Sequence, residues 1–378
     1  MEEDSHLKVQ EIITPDNKKR YVLIDEYGVF VKPVVKFLKY KDNTGTARNT
    51  LRSYCYALKL FFEFLEQKNA DYRDIGIDDV AEFVRWLQNP YRDIKVSSIL
   101  PIKERKASSI NGYLNKVFGF YDYLMRHEDY TVDLSERLKR QVLASRGGFK
   151  GFLHHTLKNK TKSISILKLK QPREKLKVLS PEQVQTLVDA CRNTRDKFLL
   201  ALLYETGMRI GEALSLQLSD IIPAAKKITI KDRGELSNEA EIKTVSSLRT
   251  LDISIELANL YRAYILDTHT EEVDTNFVFI KLSGSRKGCP LDYQCVQALF
   301  VRLKTKTGID ATPHILRHTN ITELWKTGEM RPETIQKRAG HAHVQTTIQM
   351  YVHPSEEDIR NDWEKAMKQK TTNTGDEK

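Results

Sequence analysis

Between Val34 and about residue 126 the apolar residues recur at helical rather than strand spacing, and that period limits what the first half of the chain can become. Leu51, Tyr54, Leu58, Phe61, Phe62 and Leu65 lie three to four residues apart and so fall on one helical face, with Asn49 or Thr50 placed to cap its start. A second stripe, Val80, Phe83, Val84 and Leu87, fits a helix near 77–88 that ends before Pro90. A third, Ile110, Leu114, Val117, Phe118, Tyr121 and Leu124, fits a helix near 108–126. Such faces must be buried against one another, so a small all-helical bundle is expected over 34–145. Residues 8–33 alternate instead, with breaks at Pro15-Asp16-Asn17 and Gly28, which predicts a short β-hairpin with a further strand. This β-rich extension, residues 1–33, is too small to stand as a domain.

A chain of 378 residues suits two domains, and the boundary is marked by charge. From Arg146 to Ser180 there are ten Lys or Arg against the single acid Glu174, within a chain that carries +10 overall. An extended basic linker over 146–177 is expected. Such a run is either a solvated face or a surface for a polyanion, since neutralising phosphates releases condensed counterions. After it, Ser180-Pro181-Glu182-Gln183 has the form of a capping box with proline at the first helical position. Helical segments follow through VQTLVDACR and FLLALLYETGMRIGEALSL, then strand-like pieces at 226–231, 240–245 and 249–253, then helices to about 368. The expected fold class is mainly α with a small antiparallel β-sheet: a helical domain, then a mixed α/β domain over 178–368 with a tail helix, and a polar tail at 369–378.

Membrane and metal roles find no support in the sequence. No apolar run approaches the roughly 18 to 20 residues of a membrane span, and the acidic, polar start MEEDSHLK has no signal-peptide character, so a cytoplasmic protein is expected. Cys55, Cys191, Cys289 and Cys295 form no C-x-x-C pair, which argues against a zinc module or disulfide framework, and no cofactor is expected.

Several polar residues in the second half stand in unusual settings. Arg209 lies in the apolar run TGMRIGEAL with Glu212 three residues on, a spacing that on a helix suits an ion pair. Lys243 sits at an expected hairpin, where a solvated strand-end lysine is the ordinary reading. His314 and Arg317 in HILRH project to one side of a helix starting near Pro313. His341 follows Gly340, and Tyr351 comes ten residues later in MYVH. On one continuous helix that separation is about 15 Å, so the chain between them must bend if they share a site. Tyr351 alone can be a core filler, a surface hydroxyl or a nucleophile. Taken together, the set suits attack on a phosphodiester: arginines to neutralise the nonbridging oxygens, a phenol as nucleophile, a lysine to protonate the leaving oxygen, and histidines to relay protons.

This ordered set, Arg209, Lys243, His314, Arg317, His341 and Tyr351, resembles the tyrosine recombinase family of phage integrases and transposon recombinases. The resemblance covers about 180–368, and the bundle at 34–145 is similar to that family's core-binding domain. It implies that Arg209, His314, Arg317 and His341 hold and activate the phosphate, that Lys243 is the general acid, and that Tyr351 forms a 3′-phosphotyrosine without metal or ATP. Glu212 would brace Arg209, while His318 and His343 match no required role. The chain departs from the pattern in having Ala339 before Gly340, where a leucine is usual, and in lacking an evident large arm-binding domain within 1–33.

The implied function is a site-specific recombinase, the transposase or integrase of a mobile element, acting on double-stranded DNA. A nicking and resealing type IB topoisomerase and an idle DNA-binding regulator are the alternatives. Expected DNA contacts are Thr46, Arg48, Asn49, Thr50 and Arg52 at one helix start, Ser108, Ser109, Asn111, Asn115 and Lys116 on another face, and Lys158, Lys160 and Lys162 in the linker. Ile359, Trp363 and Met367 recur every four residues in the tail and form a stripe suited to docking on a neighbouring protomer or on its own chain. A homo-oligomer, a tetramer on paired sites, is the expected working form, with accessory proteins as further partners.

Overall fold

A computed structural model describes residues 6–88, 105–127, 139–143, 161–165, 169, 177–242, 245–270, 273–340, 360, 363–364 and 367. The chain divides into two compact units, Met1–Arg173 and Glu174–Lys378. Among the described residues no helix is long and apolar enough to cross a membrane.

The first unit opens with an antiparallel hairpin of β1 (Lys8–Ile13) and β2 (Lys19–Ile24), in register from Lys8 opposite Ile24 to Ile13 opposite Lys19. Leu7, Tyr21 and Leu23 enter the same core as the helices, so the hairpin is part of the bundle rather than an appendage. The further strand is reduced to one bridge between Ile24 and Phe30. Helix α1 (Lys32–Asn43) begins immediately afterwards with Pro33 in its first turn, where fixed φ and the missing N–H favour helix entry over strand pairing.

Helices α2 (Arg48–Lys68), α3 (Ile77–Gln88) and α4 (Ala107–His127) complete the bundle. Their stripes meet in an aromatic core in which Phe61 and Phe83, and Phe37 and Phe120, pack edge to face at centroid separations of 5.1 and 5.5 Å. Helix α2 does not use the expected cap. Its N-cap is Ala47, without a side-chain hydrogen bond, and Asn49 and Thr50 lie exposed inside its first turn. The run Ala47-Arg48 turns helical earlier because Arg48 lies on the buried side, at 5% exposure.

The segment after the bundle also differs from a plain basic linker. Strands β3 (Lys139–Leu143) and β4 (Thr161–Ser165) pair antiparallel, with Lys139 opposite Ser165. Interleaved lysines and serines had obscured this alternation. Further on, Leu169 packs against the bundle core, and its backbone N–H and carbonyl pair with the side-chain amide of Asn111 on α4, both at 2.9 Å. Asn111→Ala would strand both backbone groups and is expected to destabilise the first unit by about 1–3 kcal/mol, read from urea unfolding of the full chain. An unchanged midpoint would show that water replaces the amide without loss.

In the second unit, α5 (Pro181–Asp189) starts with the expected capping box: Ser180 Oγ accepts from Gln183 N–H and Gln183 Oε1 accepts from Ser180 N–H. Helix α6 (Thr194–Thr206) is apolar on nearly every side, with Phe198, Leu199, Leu200, Leu202 and Leu203 buried, and so runs through the middle of the core. Around it are α7 (Ile210–Leu214), α8 (Ile255–Thr268), α9 (Tyr293–Thr307), α10 (Pro313–Lys326) and α11 (Pro332–Ala339).

One antiparallel sheet has the order β5 (Ile221–Ile222), β6 (Lys227–Ile230), β7 (Arg249–Asp252). The expected strand at 240–245 is not in it: residues 240–242 are irregular, Val245–Ser247 is a 3-10 turn, and β5 takes the third place. The cause lies just upstream. Buried Asn238 donates to the carbonyls of Leu214 and Leu291, and Glu239 adopts a left-handed φ of 62°, which turns the chain away from the sheet. Within the tail, Ile359 lies outside the described residues, while Trp363 and Met367 are exposed.

Candidate active site

Arg209 was expected within a continuous helix, yet α6 stops at Gly207, whose φ of 62° is left-handed. A Cβ there would stand 2.5 Å from Asn320 Oδ1, so glycine is required both by conformation and by space. The break places Arg209 in extended backbone (φ −75°, ψ 150°) as the N-cap of α7. Its guanidinium is thereby aimed across the unit. Nη1 donates to Glu212 Oε1 at 2.8 Å and to Ser247 Oγ at 3.3 Å, and Nη2 donates to the Gly340 carbonyl at 3.0 Å. The Arg209 N–H donates to Glu212 Oε2 at 2.9 Å, so Glu212 braces both the side chain and the backbone.

Arg317 approaches from the first turns of α10, buried to 3% exposure. It donates to the carbonyl of Gly207 and, at 2.8 Å, to that of Ala339. The two arginines therefore bind successive carbonyls, Ala339 and Gly340, whose Cα atoms can be only about 3.8 Å apart. They converge at the end of α11, and His341 is the next residue in the sequence. Ala339 fills a small cluster with Ile321 and Ile335, which is where the residue before Gly340 does its packing.

His314 lies exposed in the first turn of α10, its ring edge-on to His318 at 4.1 Å. His318 is buried, and burial together with the charges of His314 and Arg317 pushes its pKa down to about 4, so it is neutral near pH 7 and packs rather than relays charge. Lys243, His341 and Tyr351 lie outside the described residues, as do Lys158 and Lys160; Lys162 falls in β4.

Arg249, at the start of β7, had no place in the sequence reading. Its Nη2 donates to Glu212 Oε2 at 2.9 Å, Nε to the Arg338 carbonyl at 2.7 Å and Nη1 to the Ser247 carbonyl at 2.7 Å. Nothing in LRTLDI distinguishes it from a solvated strand-end arginine. Burial alone would raise the Glu212 pKa, but the hydrogen bond and charge of Arg249, with Arg209, outweigh it and hold the carboxyl below its ordinary value.

Two of the residues expected to contact DNA in the first unit are buried. Arg48 is buried against the bundle, and Asn111 is buried with its amide occupied by Leu169. Both were assigned from polarity at a helix surface, but their positions on α2 and α4 fall on the inward faces. Asn49, Thr50 and Arg52 are exposed and Thr46 is half-buried, with the Arg52 guanidinium 5.7 Å from the ring centroids of Tyr21 and Tyr56. On α4, Ser108, Ser109 and Asn115 are exposed, whereas Lys116 is half-buried and donates to the Gly112 carbonyl at 3.1 Å.

Residues 177–358 match the family model described as the phage integrase family, and residues 34–128 match that of the phage integrase N-terminal SAM-like domain. Over 371 residues the chain is 40% identical to transposase A from transposon Tn554 of Staphylococcus aureus, across 96% of this chain and 99% of that one. It is 26% identical over 350 residues to tyrosine recombinase XerA of Saccharolobus solfataricus, across 93% and 95% of the two chains. Among solved structures, the Tn1549 transposon integrase in complex with transposon right end DNA has the same fold, with a TM-score of 0.60 at 17% identity over 89% of this chain and 99% of that one.

Proposed function

The chain belongs to the phage integrase family of tyrosine recombinases, and from that premise we propose that it is the transposase of a mobile element, cutting and rejoining duplex DNA at specific sites in the cytoplasm. The reading rests on the convergence of Arg209 and Arg317 at the Ala339 and Gly340 carbonyls. Two guanidiniums so placed suit the two nonbridging oxygens of one phosphate, with exposed His314 at the same helix end as Arg317. Recognition is assigned to the bundle at 34–145 and chemistry to 178–368.

In the proposed reaction the Tyr351 hydroxyl gives its proton to a histidine of the site, His314 or His341, as its oxygen forms a bond to phosphorus and the bond from phosphorus to the 5′ oxygen breaks. Lys243 supplies the proton to that oxygen, while Arg209, Arg317, His314 and His341 stabilise the charge that builds on the phosphate. The 3′-phosphotyrosine keeps the energy of the broken bond. A 5′ hydroxyl of the partner strand then reverses the step, so neither ATP nor a metal ion is consumed or required. Strand exchange needs several protomers on paired sites, and the exposed Trp363 and Met367 in the tail suit a contact between them. Likeness to Tn554 transposase A along nearly the whole of both chains favours a mobile element over a topoisomerase.

The test is a duplex half-site carrying a suicide nick, which loses the short 5′ fragment and traps the covalent adduct. An adduct on the element's own ends and none on unrelated DNA supports the assignment; adducts on any sequence would favour a topoisomerase, and none at all an idle regulator. Lys243→Ala is expected to slow adduct formation by about 10²–10⁴ on a normal phosphodiester. A 5′-phosphorothiolate, whose sulfur leaves without a proton, should restore it. Failure of that rescue would remove Lys243 from the acid role.

A further inference from the structure

We propose that Arg249 is a positioning residue for the cleavage step, sharing the buried carboxylate of Glu212 with Arg209 so that Arg209 keeps net positive charge for the DNA phosphate. The inference rests on the recombinase reading above. Glu212 Oε1 is held by Arg209 Nη1, while Oε2 takes both the Arg209 N–H and Arg249 Nη2. Were Glu212 paired with Arg209 alone, the couple would be close to neutral. With Arg249 included, the trio carries one net positive charge. The Glu212 side chain is 1% exposed, so water screens this balance poorly.

The two arginines divide the work by exposure. The Arg209 side chain is 26% exposed and can meet a ligand, whereas that of Arg249 is 9% exposed. Each of the three Arg249 nitrogens already donates to a protein oxygen: Glu212, Ser247 or Arg338. Gly340, whose carbonyl Arg209 binds, has a left-handed φ of 65°, and a Cβ there would stand 2.6 Å from Arg249 Nη1. Arg249 thus acts through Arg209 and this turn, without touching DNA. Its effect should be largest in the transition state, where negative charge on the transferring phosphoryl oxygens has to be met by fixed positive charge.

Single-turnover cleavage of the nicked half-site at saturating protein tests this, using either a phosphodiester or a methylphosphonate, in which a neutral methyl replaces one charged oxygen. Arg249→Ala is expected to slow the phosphodiester reaction by about 100-fold, as displaced catalytic groups do. On the methylphosphonate the deficit should shrink below about tenfold, because less charge needs compensation. Arg249→Lys keeps the charge without the planar three-way contact and should stay within about tenfold of wild type on the phosphodiester.

Equal deficits for Arg249→Ala on both substrates, or wild-type speed, overturn the proposal. Should thermal melting show that Arg249→Ala does not fold, Arg249→Lys decides: a loss above about tenfold that is the same on both substrates overturns it, since a charge-preserving change would then act through geometry alone. A wild-type chain that forms no adduct overturns the recombinase reading itself, which is a distinct result.

Discussion

Tyr351→Phe is expected to abolish covalent attachment to a nicked half-site while leaving DNA affinity unchanged. The substitution removes one oxygen and keeps the ring, so whatever packing the ring contributes is retained. The arginines that converge on Ala339 and Gly340 are untouched, and with them the attraction for phosphate. The loss should therefore appear as an absent protein–DNA band on a denaturing gel, with an unaltered binding isotherm by fluorescence anisotropy. A robust adduct from the phenylalanine variant would exclude Tyr351 as the nucleophile. Loss of both adduct and affinity would instead mean that the hydroxyl helps to build the DNA-binding surface.

Arg209→Ala and Arg317→Ala should each lower the cleavage rate by about 10²–10³, the usual cost of removing one preorganised transition-state donor. Their effects on stability should differ. Arg209 is partly exposed, and its removal leaves Glu212 still paired with Arg249. Arg317 is buried and satisfies the carbonyls of Gly207 and Ala339, so truncation leaves two acceptors without their donor. Each such group costs about 1–3 kcal/mol when buried, enough to lower the melting temperature visibly. Single-turnover kinetics and thermal melts on the same two variants test both statements. A slow, stable Arg209→Ala beside a slow, destabilised Arg317→Ala is the expected pattern, and full cleavage by either would remove that residue from the phosphate site.

Periodicity carried most of what the sequence revealed. The stripe of Val80, Phe83, Val84 and Leu87 foretold Ile77–Gln88 because local burial writes itself into spacing, and Ser180 to Gln183 foretold a helix start because capping is a local hydrogen-bond pattern. The break at Gly207 was hidden by apolar residues on both sides. The close approach of Asn320, which leaves room only for glycine there, comes from more than a hundred positions away and lies in no local window. Arg249 was missed for the same reason: apart from nearby Ser247, its acceptors lie on Glu212 and Arg338, 37 and 89 positions away, and only folding brings them to it. Polarity gave no sign that Arg48 and Asn111 lie on inward faces, Asn111 with its amide taken up by the Leu169 backbone. The order of the motifs pointed to the family, which the comparisons show, but the charge balance around Arg209 exists only in three dimensions.

The pairing of Asn111 with Leu169, together with the β3–β4 ladder, bears on how such proteins can be retargeted by exchanging their recognition halves. A splice placed at the onset of the basic run near residue 146 would separate Lys139–Leu143 from Thr161–Ser165 and take Leu169 from the helix that holds it. The donor half would arrive lacking a strand and a hydrophobic plug, and the recipient would inherit both without partners. The join belongs after Arg173, where the first compact unit ends, so the unit to which recognition is assigned in the proposal is longer, as a portable cassette, than its helices alone would indicate.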